Sequence, residues 1–326
     1  DGQQHLKHGL IKAVNPETFV EDPLRVLRAA QFSARFNFPI ERQTVLMCRK
    51  IDISNLTAER VWMELEKILM KSQKPSIGIN RLWELQVLHK LLPEIYAMRG
   101  IQQEHEWHPE GDVYIHSLLV LDKAVEYSKD LPYEQRLTVL LASLFHDLGK
   151  VPTTEFKDGR WRAHGHSEAG VPIALEAMER LKINSLNSYD IRGNVLSLIR
   201  YHLQPSMFYR NPPKKSAYRR LAKKVDLHLL YIVSKADSMG RGEASNHEAS
   251  DWFQEQLKNV DVSEEGLKPI LMGRHLIKLG MKPSPEFGRI LKNVYEMQIE
   301  GEVTTLEEAL SSIDKASSKV YNAFNG

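Results

Sequence analysis

The stretch Leu140-Leu141-Ala142-Ser143-Leu144-Phe145 is followed at once by His146-Asp147. A segment that apolar, inside a helical pattern over residues 135–148, belongs at the centre of a helical bundle. A charged Asp at its end costs several kcal/mol unless it is paired or ligated. The same combination returns at Leu229-Leu230-Tyr231-Ile232-Val233, with Asp237 four residues on. Two acids at the ends of buried helices point to shared ligation.

The surrounding pattern is also helical. Period-two alternation is scarce, and there is no repeat, low-complexity segment or long Gly/Ser linker. A helix is expected to start at Glu21-Asp22-Pro23, with Asp22 as N-cap and Pro23 at the first helical position. Its apolar face is Leu24, Val26, Leu27, Ala30, Phe32 and Phe36. Further helices are expected near 41–51, 57–71, 78–90, 115–128, 135–148, 167–181, 188–203, 215–239, 249–259, 285–299 and 305–323. One strand candidate, Gly9 to Val14, has no evident partner. Polar breaks place soft boundaries near 100 and 248.

Composition narrows the class. The 326 residues suffice for two domains. With 44 Lys+Arg against 42 Asp+Glu the formal charge is +2, so any nucleic-acid surface must be a local patch. The single cysteine, Cys48, excludes a disulfide scaffold and a Cys-based zinc finger. No apolar run reaches the roughly 18 residues of a membrane span, and no signal peptide opens the chain. The expectation is a soluble, cytoplasmic protein with no membrane partner. Residue 1 is Asp, not Met, which suggests a piece cut or processed from a longer protein.

Against that one cysteine stand 13 histidines, six of them between 105 and 166. The ordered set is His116, His146-Asp147, His166, His202 and Asp237. Imidazole and carboxylate without thiolate suit a divalent ion such as Ni, Mn, Mg, Co, Fe or Zn. Such an ion would activate water and polarise a phosphoryl oxygen. Each candidate lies at or near an expected helix end, so the helices can aim them at one pocket.

The order His116 … His146-Asp147 … Asp237, with Phe145-His146-Asp147-Leu148-Gly149-Lys150, resembles the HD-domain metal-dependent phosphohydrolases. The resemblance implies that His116, His146, Asp147 and Asp237 are metal ligands. His166 and His202 match the extra histidines that some members use for a second metal or for substrate phosphate. His164 is an alternative to His166. Lys150 and Arg241 stand beside ligands as candidate phosphate binders, and His105 and His108 are assigned to the loop entering the site.

Flanking motifs resemble class II tRNA nucleotidyltransferases (CCA-adding enzymes) and the related bacterial poly(A) polymerases. They are Glu21-Asp22-Pro23-Leu24-Arg25-Val26-Leu27-Arg28-Ala29, Glu59-Arg60-Val61-Trp62-Met63-Glu64-Leu65 and Leu91-Leu92-Pro93-Glu94-Ile95. By this resemblance Glu21, Asp22 and Arg25 form a template reading the incoming nucleotide base. The polymerising head is missing: there is no glycine-rich nucleotide loop and no Asp-x-Asp pair. The chain alone is therefore not expected to add nucleotides.

Seven of the fifteen residues from 210 to 224 are basic: Arg210, Lys214, Lys215, Arg219, Arg220, Lys223 and Lys224. Tyr209 and Tyr218 interleave, a pattern that fits RNA phosphates and stacked bases. The resulting expectation is an all-α protein: a helical neck and RNA-binding region over 1–100, an HD helical bundle over 101–248 and a C-terminal helical body over 249–326. The activity implied by resemblance is metal-dependent hydrolysis at a tRNA 3′ end or a nucleotide, of 2′,3′-cyclic phosphodiesterase, 2′-nucleotidase or phosphatase type. The alternatives are the RNA-holding part of a CCA-adding enzyme, or a binding module with a vestigial HD site.

Overall fold

The computed structural model describes residues 2–242, 245–259 and 268–313. Its principal helices are α1 (Leu24–Phe36), α2 (Ala58–Lys71), α3 (Pro75–Glu84), α4 (Val113–Tyr127), α5 (Tyr133–Phe145), α6 (Lys150–Thr153), α7 (His166–Arg180), α8 (Ile191–Tyr201), α9 (Lys215–Ala222), α10 (Leu227–Met239) and α11 (Pro285–Glu300). Further helices, among them Glu248–Asn259 and Leu306–Ser311, lie between and after these, and the strands form two antiparallel hairpins. One is β1 (Thr154–Lys157) with β2 (Arg160–Ala163); the other is β3 (Ser185–Leu186) with β4 (Tyr189–Asp190).

The chain divides into two compact units. The first takes the residues up to Tyr209 together with His228–Phe253. The second takes Arg210–Leu227 together with the described residues from Gln254 on.

In the first unit α1 packs against α2 and α3, while α5 packs against α4 and α8, and α8 against α7. Every residue of α5 from Leu137 to Phe145 is buried. A buried Leu or Phe contributes about 1.5–3 kcal/mol, so this helix anchors the bundle. Local chemistry sets the helix starts. Asp112 Oδ1 accepts from Ile115 N at 2.9 Å to open α4, and Asp190 Oδ1 accepts from Gly193 N at 2.9 Å to open α8.

In the second unit α9 packs on α11, and Leu271, Leu276, Ile290, Val294, Val303, Ala309 and Ile313 form a core.

Three sequence expectations change in the structure. The Gly9–Val14 segment forms no strand: Ile11 makes one isolated parallel bridge with Ile40, because no further residues there find backbone partners in register. The helix expected over 215–239 is two helices broken by a turn at 223–226. The apolar residues on either side of that turn serve different units. Pro23 sits at the N-cap rather than inside α1, and Asp22 Oδ1 still accepts from Leu24 N at 3.1 Å. Of the helix expected over 305–323, residues 306–311 are helical and those beyond 313 lie outside the described residues.

Candidate metal centre

Helix ends deliver the six histidine and aspartate candidates to one place. His116 lies in the first turn of α4, His146 and His202 directly follow α5 and α8, His166 opens α7, and Asp237 is in the last turn of α10. Gly149 makes the convergence possible. A Cβ there would run into the His166 carbonyl and the Gly170 amide, so only glycine lets the loop after Asp147 lie on the first turn of α7.

All six are buried. His116 Nε2 is 3.1 Å from Asp237 Oδ1, and His146 Nε2 is 3.2 Å from Asp147 Oδ2. The other oxygen of Asp147, Oδ1, is 3.4 Å from His166 Nε2 and 4.0 Å from His202 Nε2. Asp147 thus stands between two groups of ligand atoms, His116/His146/Asp237 on one side and His166/His202 on the other.

The outer nitrogens decide what the inner ones can do. Nδ1 of His146, His166 and His202 donates to the carbonyls of Ser143, Ala163 and Ile199 at 2.8, 2.7 and 2.7 Å. Nδ1 of His116 donates to Glu110 Oε1 at 2.7 Å. These bonds satisfy Nδ1, and at His166 and His202, where burial disfavours the charged ring, they leave Nε2 as a lone pair aimed inward. Nε2 of His166 and Nε2 of His202 then face each other at 3.3 Å. Burial pushes the His202 imidazole down to about 3 and lowers His166 as well, so no proton lies between them near neutral pH. Facing lone pairs at that distance fit a shared cation.

The carboxylates stay ionised in spite of burial. Burial opposes the Asp147 carboxylate, but His146, Lys150 and His166 hold it well below the usual range. Asp237 is likewise held low against burial, by Arg241 and His116. Glu110, also working against burial, is brought to about 2 by its bonds from His108 and His116. The fixed cations nearest them are Lys150, 2.7 Å from Asp147 Oδ2, and Arg241, 3.7 Å from Asp237 Oδ1. His146 Nε2 and Asp147 Oδ2 also lack a hydrogen bond of good geometry. Donor set and lone-pair direction fit a divalent ion.

Sequence reasoning missed two polar contributors. Glu110 bonds both His116 and, at 2.8 Å, His108 Nδ1; Gln103 Oε1 accepts from Lys150 at 2.7 Å. Both lie in the loop 101–112, where neither spacing nor apolar context marks them. His164 and His105 are exposed and outside the cluster.

The other candidates lie elsewhere. Glu21 is exposed at the entrance to α1, Arg25 donates to the Thr18 carbonyl, and Asp22 pairs with Arg60 of α2 at 3.0 Å. In the second unit Arg219 donates to the Ile299 carbonyl at 2.8 Å, and Arg220 pairs with Glu296 and Glu300. Lys223 lies 3.9 Å over the Tyr295 ring. Arg210, Lys214, Lys215 and Lys224 are exposed. Tyr218 is buried and offers no ring face for stacking, whereas Tyr209 is 41% exposed.

A family model described as the HD domain matches residues 113–242, and one described as the probable RNA and SrmB-binding site of polymerase A matches residues 37–98. The multifunctional CCA protein of Tolumonas auensis is 38% identical over 282 residues, 83% of this chain and 65% of that protein. That of Nitrosococcus oceani is 33% identical over 258 residues, 75% of this chain and 59% of that protein. The chain belongs to the CCA-adding enzyme and poly(A) polymerase family, in a form that carries an HD domain. It spans about three-fifths of the length of these CCA relatives. Among solved structures, a CCA-adding enzyme in apo form I aligns with a TM-score of 0.56 at 19% identity, covering 96% of this chain and 63% of that one. The Thermotoga maritima CCA-adding enzyme complexed with tRNA aligns with a TM-score of 0.51 at 20% identity, covering 98% and 66%. At such identities the likeness to these CCA-adding enzymes is one of fold.

Proposed function

We propose that the histidine–aspartate centre is a metal-dependent phosphohydrolase site acting on the 3′ end of RNA, with tRNA as the substrate class. The facing Nε2 lone pairs of His166 and His202, beside Asp147 between the two ligand groups, carry the reading. His116, His146, Asp147 and Asp237 would hold one ion, and Asp147, His166 and His202 offer a place for a second. A divalent ion bound there lowers the pKa of a coordinated water and polarises a phosphoryl oxygen. Lys150 and Arg241 neutralise the charge of the incoming phosphate, and Gln103 steadies Lys150. Glu110 fixes the tautomer of His116, and burial excludes bulk water. Ni, Mn, Mg, Co, Fe and Zn are compatible with this donor set.

A second reading is favoured by the match over residues 37–98. In it, the helices over 1–100 and the body over 249–326 hold tRNA for nucleotide addition by a longer protein, flanking an HD domain over 101–248. Glu21, Asp22 and Arg25 would then read the nucleotide base, and the exposed Arg210, Lys214, Lys215 and Lys224 would meet RNA phosphates. Arg219, Arg220 and Lys223 would join them by giving up partners within their own unit.

The test of the first reading is a metal-by-substrate screen of phosphate release from cyclic-phosphate and phosphorylated RNA ends. The isosteric Asp147→Asn should keep its cooperative melting, lose bound metal and lose phosphate release by at least about a hundredfold. Undiminished release from folded, metal-free Asp147→Asn would overturn it.

A further inference from the structure

The hairpin β1–β2 grows directly out of the metal centre. It leaves α6 just after Lys150–Thr153 and returns to Ala163, whose carbonyl accepts from His166 Nδ1. Between these ends, Trp161 N donates to Glu104 Oε2 at 3.1 Å. Glu104 belongs to the loop that also supplies Gln103 to Lys150 and Glu110 to His116. Both ends of the hairpin and one point between them are therefore tied to groups lining the site.

What the hairpin presents to solvent is unusual for its size. The register sets Phe156 opposite Trp161, with ring centroids 5.1 Å apart and an interplanar angle of 61°. Phe156 is 60% exposed and Trp161 37% exposed. A two-stranded hairpin of four-residue strands gains little stability by itself. Its largest apolar side chains nonetheless face water instead of a core. With a rise of about 3.3 Å per residue, Trp161 lies about 7 Å along the strand from Ala163, the residue whose carbonyl holds His166. Lys157, Arg160 and Arg162 lie on the opposite face of the same hairpin, since successive strand residues alternate. Arg160 is 3.6 Å from Glu106 and Arg162 3.4 Å from Asp158. Exposed pairs of this kind contribute little and exchange readily for a phosphate.

We propose that the Phe156–Trp161 pair is a stacking platform for the bases preceding the reacting end of a single-stranded RNA 3′ terminus. Aromatic faces accept any base, so the pair can hold bases without reading sequence. A mononucleotide is too short to use the platform; an RNA strand with its end at the metal centre reaches it. The proposal rests on the hydrolase reading for the position of the RNA end, but base stacking can be measured without turnover.

The experiment uses the full chain, a labelled short single-stranded oligoribonucleotide and a nucleoside 2′,3′-cyclic phosphate. Binding of the oligoribonucleotide is measured with and without metal. The double variant Phe156→Ala/Trp161→Ala should bind it about tenfold more weakly, with an unchanged melting temperature. Its KM for an oligoribonucleotide end, relative to its KM for the mononucleotide, should rise by about the same factor. Trp161→Phe should keep the affinity and lose the RNA-induced quenching of tryptophan emission. Unchanged RNA affinity in the folded double variant would overturn the platform and leave the rings as a contact for another protein. An equal rise in KM for both substrates would also overturn it. If the double variant loses RNA affinity while the wild type releases no phosphate with any metal, the hydrolase reading falls and the platform stands.

Discussion

Glu110 shows how a residue outside the ligand set can govern it. Its Oε1 accepts from both His108 and His116, and its side chain is 3% exposed. A carboxylate behind a ligating imidazole fixes the ring and raises its basicity. Glu110→Ala is expected to weaken metal affinity by about 10–100-fold, measured by competition with a chelating dye. Glu110→Gln, which retains an acceptor without the charge, should lose less. Equal affinity in wild type and Glu110→Ala would remove the residue from the metal centre. The contrast with Asp147 explains what the sequence discloses at this scale. Asp147 stands out because it closes an apolar helix, where a charge demands a reason. Glu110 sits among polar neighbours in a loop, and only the folded position of His116 gives it a task.

At the scale of elements, most of the helices are legible in the sequence because apolar periodicity and caps act locally. The hairpins are not, since the strands of β1–β2 are short, largely exposed and carry no buried alternating face. Gly149 is likewise silent in sequence: its significance is the backbone of α7 passing where a Cβ would be. Gly149→Ala must push α7 away from the loop after Asp147. The expected result is a loss of about 3 kcal/mol in stability, at the upper end of ordinary overpacking, with a parallel loss of metal binding as His166 retreats from Asp147. Chemical denaturation and metal titration of the same preparation check both. A variant as stable as wild type would mean that the loop has room the structure does not show.

Over the whole molecule, what sequence reasoning could not see is the pairing of remote segments. Residues 210–227 read as a basic stretch running into a long helix, yet they belong to the unit completed by residues from Gln254 onward. Tyr218, Leu221 and Val225 are buried there, and Arg219 reaches the Ile299 carbonyl. A chain ended after Phe253 should therefore expose these apolar side chains. Stronger binding of a hydrophobic dye and self-association on size exclusion are the expected results, and a monodisperse product without dye binding would count against this pairing. Among the described residues no helix is long and apolar enough to cross a membrane. The same discontinuity bears on inheritance. A unit encoded in one continuous stretch can be gained or lost in a single recombination. This one is encoded on both sides of the segment bearing Asp237, so a lineage that discards the C-terminal part must also rewrite the basic stretch inside the domain it keeps.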